Sequence, residues 1–103
     1  IFSIFKSHRY GALAVYGTGL LAVGSVTTSV ANKVELLNIG GGWQAVADHP
    51  RSIRQPGIVA VDEGVLTLGG YQADTSPNAP INEVYLFKDP TNKLKKQNYW
   101  AVL

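Results

Sequence analysis

The chain contains no cysteine, and this absence excludes two kinds of site. Without cysteine there is no disulfide framework and no thiolate metal centre. The chain also lacks an Asn-x-Ser/Thr glycosylation acceptor, so nothing in the sequence supports secretion. The sequence leaves the localisation open between the extracellular space and the cytoplasm.

Charge is scarce as well. Charged residues make up 16% of the 103 residues, and nine basic against seven acidic residues give a formal net charge of +2. This bias is too small for a nucleic-acid-binding surface, and the one dense basic run, "KLKK" at 93–96, is interpreted as a solvated loop. The apolar start "IFSIF" is interrupted by Lys6 and is too short to span a membrane. Because the chain does not begin with methionine, we expect it to be part of a longer protein.

Glycine and apolar residues are abundant: there are eleven glycines, and 46% of the residues are hydrophobic. This composition favours one ordered, turn-rich β domain with a modest core. The stretch "AVYGTGLLAVGS" at 14–25 contains Gly17-x-Gly19-x-x-Ala22, which resembles a dinucleotide-binding loop, and Glu35 follows at the distance of a ribose-binding acid. Such a loop needs a helix after the glycines, but glycine and β-branched residues follow. A β-hairpin is therefore favoured, and a nucleotide-binding enzyme is the weakest alternative.

An internal repeat supports the hairpin. "ALAVYGTGLLAVGS" at 12–25 matches "GIVAVDEGVLTLGG" at 57–70 position for position, which gives a period of about 45 residues, as in propeller blades. Each copy predicts two strands joined by a glycine turn, and "NKVELLNI" from Asn32 and "NEVYLFKD" from Asn82 each predict a third. Trp43 begins a predicted fourth strand in the first copy. "KKQNYWAVL" at 95–103 parallels "KSHRYGALA" at 6–14 and is interpreted as the start of another repeat.

These features resemble the kelch repeat family: a second strand running into a double glycine (Gly69-Gly70, degenerate as Gly24-Ser25), an aromatic residue in the third strand (Tyr85), and a following tryptophan (Trp43). The resemblance implies an all-β, kelch-type β-propeller with four-stranded antiparallel blades. Blade one spans about 8–50, blade two about 53–94, and residues 95–103 begin a third. No tryptophan closely follows Tyr85, so the outer strand of blade two is expected to be shortened or missing.

The resemblance assigns roles to two groups of residues. It implies structural roles for the glycines and the inter-blade aromatic residues, namely Gly24, Trp43, Gly69, Gly70 and Tyr85. It also implies that the connections between strands two and three and between blades share one face, on which partners dock. The candidate binding residues on that face are His8, Arg9, His49, Arg51, Arg54, Tyr71, Asp74 and Ser76. The proline-containing loop "YQADTSPNAP" at 71–80 is the most extended of these connections.

The sequence contains no coherent catalytic set, since its two histidines, His8 and His49, lie near no nucleophile motif or second metal ligand. We therefore predict a non-catalytic protein-interaction scaffold without cofactor or metal. The alternative is a carbohydrate-binding module or part of a galactose-oxidase-like propeller enzyme. Two blades alone leave apolar faces on both sides. We expect these faces to meet further blades of the same chain, or other copies that close a ring.

Overall fold

The computed structural model describes residues 8–88 and 97–103, and in this part the chain is all-β apart from one short 3₁₀ helix. The strands are β1 (Ala12–Tyr16), β2 (Gly19–Val23), β3 (Val34–Asn38), β4 (Gly42–Val46), β5 (Ile53–Arg54), β6 (Gly57–Val61), β7 (Gly64–Leu68), β8 (Tyr71–Gln72), β9 (Val84–Lys88) and β10 (Tyr99–Val102). The 3₁₀ helix covers Thr28–Val30. Two antiparallel four-stranded sheets have the orders β1-β2-β3-β4 and β6-β7-β9-β10, and β5 pairs with β8.

The first sheet confirms the hairpin interpretation of the glycine-rich stretch. Strands β1 and β2 pair antiparallel up to Tyr16 and Gly19, so Gly17 and Thr18 form the turn. Gly17 has a φ of 60°, a backbone conformation that glycine adopts without steric cost. A Cβ atom on Gly19 would collide with the carbonyl oxygen of Leu37 on β3. These glycines therefore let a tight turn and a close strand form, and no helix follows them.

The second sheet repeats the first with the same register. Leu13, Ala22 and Glu35 lie side by side across the first sheet, and Ile58, Thr67 and Tyr85 occupy the equivalent places in the second. This repetition is the one that the 45-residue spacing predicts.

The C-terminal strand departs from the sequence interpretation. Residues 95–103 were expected to begin a third repeat, but β10 pairs with β9 and completes the second sheet as its fourth strand. Trp100 lies opposite Phe87, as Trp43 lies opposite Leu37 in the first sheet. The outer strand of the second sheet is therefore not missing; it has four residues, one fewer than β4. The tryptophan is present, but a longer connection between β9 and β10 displaces it along the sequence.

The core lies between the two sheets. Leu21, Val23, Val34 and Leu36 of the first sheet form one cluster with residues of the second, including Val65 and Phe87. Tyr16 meets the ring of Phe87 edge-on, with 5.2 Å between the ring centroids. The indole N–H of Trp100 donates a 3.0 Å hydrogen bond to the carbonyl of Ala47, which fixes the outer strand of one sheet to the other.

The outer sides of this two-sheet stack remain apolar and exposed. Leu13 and Val15 of β1 are 55% and 57% exposed, and Val59 of β6 is 45% exposed. Leu13 corresponds to Ile58, which packs against the core. The outer side of each sheet thus corresponds, in the other repeat, to the side that packs against the core between the sheets. Among the described residues, no helix has the length and apolar character needed to cross a membrane.

Candidate functional site

The candidate site lies at the end of the sheets where β1 and β6 begin. Within the first repeat, the amide of Val26 donates a hydrogen bond to the carbonyl of Arg9 (2.8 Å). Two further backbone hydrogen bonds join the repeats there, from the amide of Ser25 to the carbonyl of Ile53 (2.9 Å) and from the amide of Gln55 to the carbonyl of Tyr10 (2.6 Å). The segment before each inner strand is therefore held against the segment that follows β2. The structure thus brings connections from both repeats to one face, which we call the loop face.

The extended connection at 71–81 is ordered by its own hydrogen bonds. The hydroxyl of Thr75 donates to the carbonyl of Gln72 and accepts from the amide of Ala79. The hydroxyl of Thr28, in the 3₁₀ helix of the other repeat, donates to the carbonyl of Ala73 at 3.1 Å. Asp74 and Ser76 are exposed on this loop. The loop therefore presents these two side chains from a fixed backbone, because both ends and both repeats hold it.

Two arginines stand at equivalent places on the loop face. Arg9 precedes β1 by the same spacing that Arg54 has from β6. The guanidinium of Arg9 lies 5.7 Å from the ring centroid of Tyr10, and that of Arg54 lies 5.8 Å from the ring centroid of Tyr71. We refer to these four residues as the arginine–tyrosine surface. The Nε of Arg54 is buried and has no hydrogen-bond partner.

The backbone beneath this surface is in an unusual conformation in both repeats. Tyr10 and Gln55, which follow the two arginines, have φ values of 60° and 51°. Residues other than glycine rarely adopt this left-handed region, and such conformations persist only where the surrounding structure imposes them. Here the imposing contact is the hydrogen bond between the two residues, from Gln55 to Tyr10. The two arginines are thus fixed relative to one another at the backbone.

Of the two histidines that the sequence placed among the binding candidates, His49 is buried, and His8 is half-buried with a side chain that is 6% exposed. His8 lies with Nδ1 2.8 Å from the carbonyl of Gly24 and Nε2 2.9 Å from the carboxylate of Glu35. His49 accepts from the amide of Arg51 through Nδ1 and donates from Nε2 to the hydroxyl of Thr67 at 2.9 Å. Both histidines are therefore engaged inside the fold beneath the loop face.

Burial has a measurable consequence for His49. It is 2% exposed and lies edge-on to the rings of Tyr85 and Trp100, with centroids 4.8 and 4.6 Å away. Desolvation by burial lowers the pKa of His49 from 6.5 to about 4. The neutral imidazole is therefore the form that fills this position at neutral pH.

Arg51 differs from the other two arginines because it has a carboxylate partner. Its guanidinium lies 2.9 Å from Glu83, and its Nε donates to both Glu83 and the hydroxyl of Tyr85. The hydrogen bonds with Tyr85 and Glu83 raise the pKa of Arg51 above its usual value. These contacts also engage the hydroxyl of Tyr85, which donates to Glu83 at 2.9 Å.

The five residues that the sequence assigned to structural roles differ in backbone conformation, close contacts and burial. A Cβ atom on Gly24 would approach the carbonyl of Ile53 to 2.8 Å, and one on Gly70 would approach that of Arg54 to the same distance. Gly69 has a φ of 64°, while Trp43 lies half-buried on β4. Tyr85 is buried between the sheets.

Sequence reasoning missed three residues that matter here. The sequence analysis contains Tyr10 only within the stretch 6–14 that parallels 95–103, and it considers Glu35 only as a residue at the distance of a ribose-binding acid that lies in a predicted strand. Trp100 was read as part of a new repeat. A signal for Tyr10 existed, because it aligns with Gln55 once the repeats are superposed, directly after an arginine in each. No local sequence pattern predicts the contact of Glu35 with His8, because the two residues are 27 positions apart in the sequence.

The opposite end of the sheets is built from the two hairpin turns. A cleft of about 360 Å³ lies between them, lined by residues that include Gly17, Asp62 and Glu63. A second groove of about 460 Å³ follows the outer strand β4 and is lined by residues including Gln44, Asp48 and Asn98. Within residues 8–88 and 97–103, no three histidine, aspartate or glutamate side chains converge as metal ligands would.

A scan against protein-family models finds no match to this chain, and a search of curated proteins finds no similar sequence.

Proposed function

We propose that this chain forms kelch-type propeller blades and that it acts as a non-catalytic scaffold that binds another protein through the loop face. The observation that carries the proposal is that connections from both repeats converge on that face over two rigid sheets. Binding residues concentrate on loops that a rigid scaffold positions. The kelch resemblance supports the same face, because it implies docking at these connections.

The loop face also has the side chains that protein interfaces favour. Tyr10 and Tyr71 are 57% and 42% exposed, and each carries an arginine against its ring. Tyrosine and arginine are enriched among the residues that contribute most to binding. The turns at the opposite end present Asp62 and Glu63, both exposed, from tight hairpins.

The test is affinity capture of partner proteins with two sets of variants, one on the loop face and one in the hairpin turn at the opposite end of the sheets. We expect Tyr71→Ala or Arg54→Ala to remove the captured partner, while Asp62→Asn and Glu63→Gln, at the opposite end, retain it. Circular dichroism confirms that each variant is folded. A partner that is retained by the Tyr71 variant and lost with the turn variants would contradict the proposal.

The apolar outer sides support an assembly in which further blades or further copies cover them. Leu13 and Val15 lie on a side whose equivalent in the second sheet is buried against the first. Head-to-tail stacking of copies would repeat the existing inter-sheet contact, and three copies would give about six blades. Light scattering tests this assembly, since a 103-residue chain that remains a stable monomer would show that the outer sides need no cover.

A further inference from the structure

We propose that the outer edge of β4, with the groove beside it, binds an extended segment of a partner protein. The segment adds to the first sheet as a further strand and places a basic side chain beside Asp48. This surface lies along the side of the sheet and does not include the tyrosines of the loop face, so the inference goes beyond the function proposed above.

Strand β4 has a hydrogen-bonded neighbour on one side only. It pairs with β3 along its whole length and is the last strand of its sheet in the described part of the chain. In an antiparallel pair, every second residue directs its N–H and C=O groups away from the partner strand. Gln44 and Ala45 in the middle of β4 are exposed, so this edge is open to solvent. The outer edge is therefore a row of accessible backbone donors and acceptors with the spacing of another strand.

This strand lacks the features that usually protect a sheet edge. Natural edge strands carry charged side chains, prolines or bulges that prevent pairing with another chain. Strand β4 reads "GWQAV" and contains neither a charged residue nor a proline, and its register with β3 is continuous. Addition of an extended peptide to an exposed strand edge is a recurring mode of protein recognition. The edge of β4 has the composition that permits it.

The groove beside this edge provides room for an added strand. It has a volume of about 460 Å³ and is lined by residues 44–48 of the first repeat and by Gln97 and Asn98, which precede β10 in the second. We call it the edge groove. The two repeats are tied together beside it, because the indole N–H of Trp100 donates to the carbonyl of Ala47 and the amide of Asn98 donates to the hydroxyl of Tyr16. Because these contacts fix the groove before binding, a partner loses less free energy in ordering it.

The lining of the edge groove indicates the chemistry of the segment. Gln44, Gln97 and Asn98 carry side-chain amides, which both donate and accept hydrogen bonds. Asp48 is the one charged residue among the described residues of the lining, and its side chain is 48% exposed. Its hydrogen bond with Lys33 uses Oδ2, and a carboxylate has lone pairs on both oxygens for a second donor. A segment with neutral polar side chains and one basic residue beside Asp48 matches this lining.

The direction of β4 determines where in the segment the basic residue lies. The strand runs from the turn at Gly42 toward Asp48, so an antiparallel neighbour begins beside Asp48. Antiparallel pairs are slightly more stable than parallel ones. We therefore expect the basic residue near the amino end of the segment.

The first experiment measures binding of a labelled eight-residue peptide to the full 103-residue chain by fluorescence anisotropy. The peptide has arginine as its second residue and otherwise alternates threonine and glutamine. We expect saturable binding, and binding about threefold weaker when the arginine is moved to the residue before the last, because an exposed ion pair is then lost. Asp48→Asn should remove this difference between the two peptides. Asp62→Asn, the same change of charge in a hairpin turn, is the matched control and should preserve the difference.

The second experiment tests pairing of the backbone. Two peptides of the same sequence carry N-methyl groups at alternate residues, one set at odd and one at even positions. Only one set of amides in an added strand faces β4, so we expect one peptide to lose at least about tenfold in affinity and the other to stay within about twofold. Equal losses in the two peptides, or no loss in either, would show that the backbone does not pair with β4 and would overturn the proposal.

Hydrogen exchange of the protein locates the peptide. We expect the amides of residues 42–46 to exchange more slowly when the peptide saturates the chain. Gln97→Trp, which fills the edge groove, should lose both binding and this protection, whereas Gln97→Ala should keep them, and circular dichroism checks that both variants fold. Absence of saturable binding, or protection confined to other strands, would overturn the proposal. Slower exchange of β4 at higher protein concentration without peptide would show that a second copy covers the edge, and would overturn it as well.

Tyr71→Ala separates this surface from the loop face. The variant should keep its affinity for the peptide within about twofold, because Tyr71 lies outside the lining of the edge groove. Loss of peptide binding in this variant would place the peptide on the loop face and overturn the inference. If no partner is captured through Tyr71 but the peptide still binds along β4, the proposed function fails and this inference stands.

Discussion

Each sheet has a histidine against its third strand, and the two histidines have different partners. His8 approaches Glu35 of the first sheet, and His49 approaches Tyr85, which occupies the equivalent position in the second. The neighbours of the His8 ring nitrogens are two oxygen atoms, the carbonyl oxygen of Gly24 and a carboxylate oxygen of Glu35. His49 has one donor and one acceptor as partners, which suits the neutral ring.

The comparison teaches that one position of the third strand can place either a carboxylate or an aromatic ring against a histidine. In the second sheet, Thr67 and Tyr85 surround His49 with a hydroxyl and a ring. In the first sheet, Ala22 replaces the threonine, and Glu35 supplies a charge instead. The two arrangements respond differently to mutation, because removing the carboxylate takes a hydrogen-bond partner from His8, whereas His49 also packs edge-on against the ring of Tyr85.

Removing the carboxylate from the first repeat should have the largest effect. Glu35→Ala leaves His8 with one ring nitrogen buried and unpaired, and breaking a buried pair costs about 3–5 kcal/mol of unfolding free energy. Glu35→Gln should cost less, because the amide can donate to a neutral His8. Urea unfolding at pH 7 measures both. Equal losses for the two variants would show that an amide cannot replace the carboxylate, whereas no loss with Glu35→Gln would show that the carboxylate's charge is immaterial.

Trp100→Ala sharpens the comparison between the outer strands. Trp100 packs against Phe87 and His49, and its indole N–H donates a hydrogen bond to the carbonyl of Ala47. Its truncation should therefore lower the free energy of unfolding by about 3 kcal/mol. Trp43→Ala, at the equivalent place on β4, is the matched control. It should cost less, because Trp43 lies outside the core cluster of the described residues. Thermal unfolding of both variants tests the order, and a larger loss with Trp43→Ala would contradict it.

The neutral state of His49 predicts a dependence of stability on pH. Its pKa is about 4 in the folded protein against 6.5 as the ordinary value, so the unfolded chain binds more protons between these values. Stability should therefore fall as the pH falls from 6.5, by roughly 2 kcal/mol down to pH 5, and this contribution should level off below pH 4. His49→Gln should remove this slope from urea-unfolding midpoints, and a slope unchanged in that variant would exclude His49 as its source.

The sequence predicted the periodic features of this structure well and the long-range ones poorly. Gly19 and Gly64 marked the hairpins because a turn is a local event. The residue pattern from Val34 onward predicted a strand, because the pattern of one strand is also local. Trp100 was assigned to a third repeat because the sequence pattern predicts a strand but does not determine which sheet that strand joins. The strand pairs with β9 across a connection whose length the pattern does not specify. The burial of His8 was not predictable either, since Glu35 reaches it only after the sheet has formed.

The same limit applies to the candidate site. Arg9, Arg54 and Tyr71 were identified because the repeat places them at connections, and the structure puts them on one face. Arg51 was a candidate because it lies on the connection between the two repeats, but its guanidinium is already hydrogen-bonded to Glu83 and Tyr85. Whether an arginine on a loop has a carboxylate partner is a tertiary property that spacing along the chain does not encode.

The smallest effect should come from the exposed ion pair of the first repeat. Lys33 and Asp48 lie 3.1 Å apart with side chains 41% and 48% exposed, so solvent screens their attraction. Exposed pairs of this kind contribute about 0.2–1 kcal/mol, and we expect a double-mutant cycle of Lys33→Gln and Asp48→Asn to give a coupling free energy in that range. Raising the salt concentration should reduce the coupling further. The pair bridges the start of β3 and the segment after β4, the same segment that leads to His49. A coupling well above this range, insensitive to salt, would mean that the pair holds that segment in place.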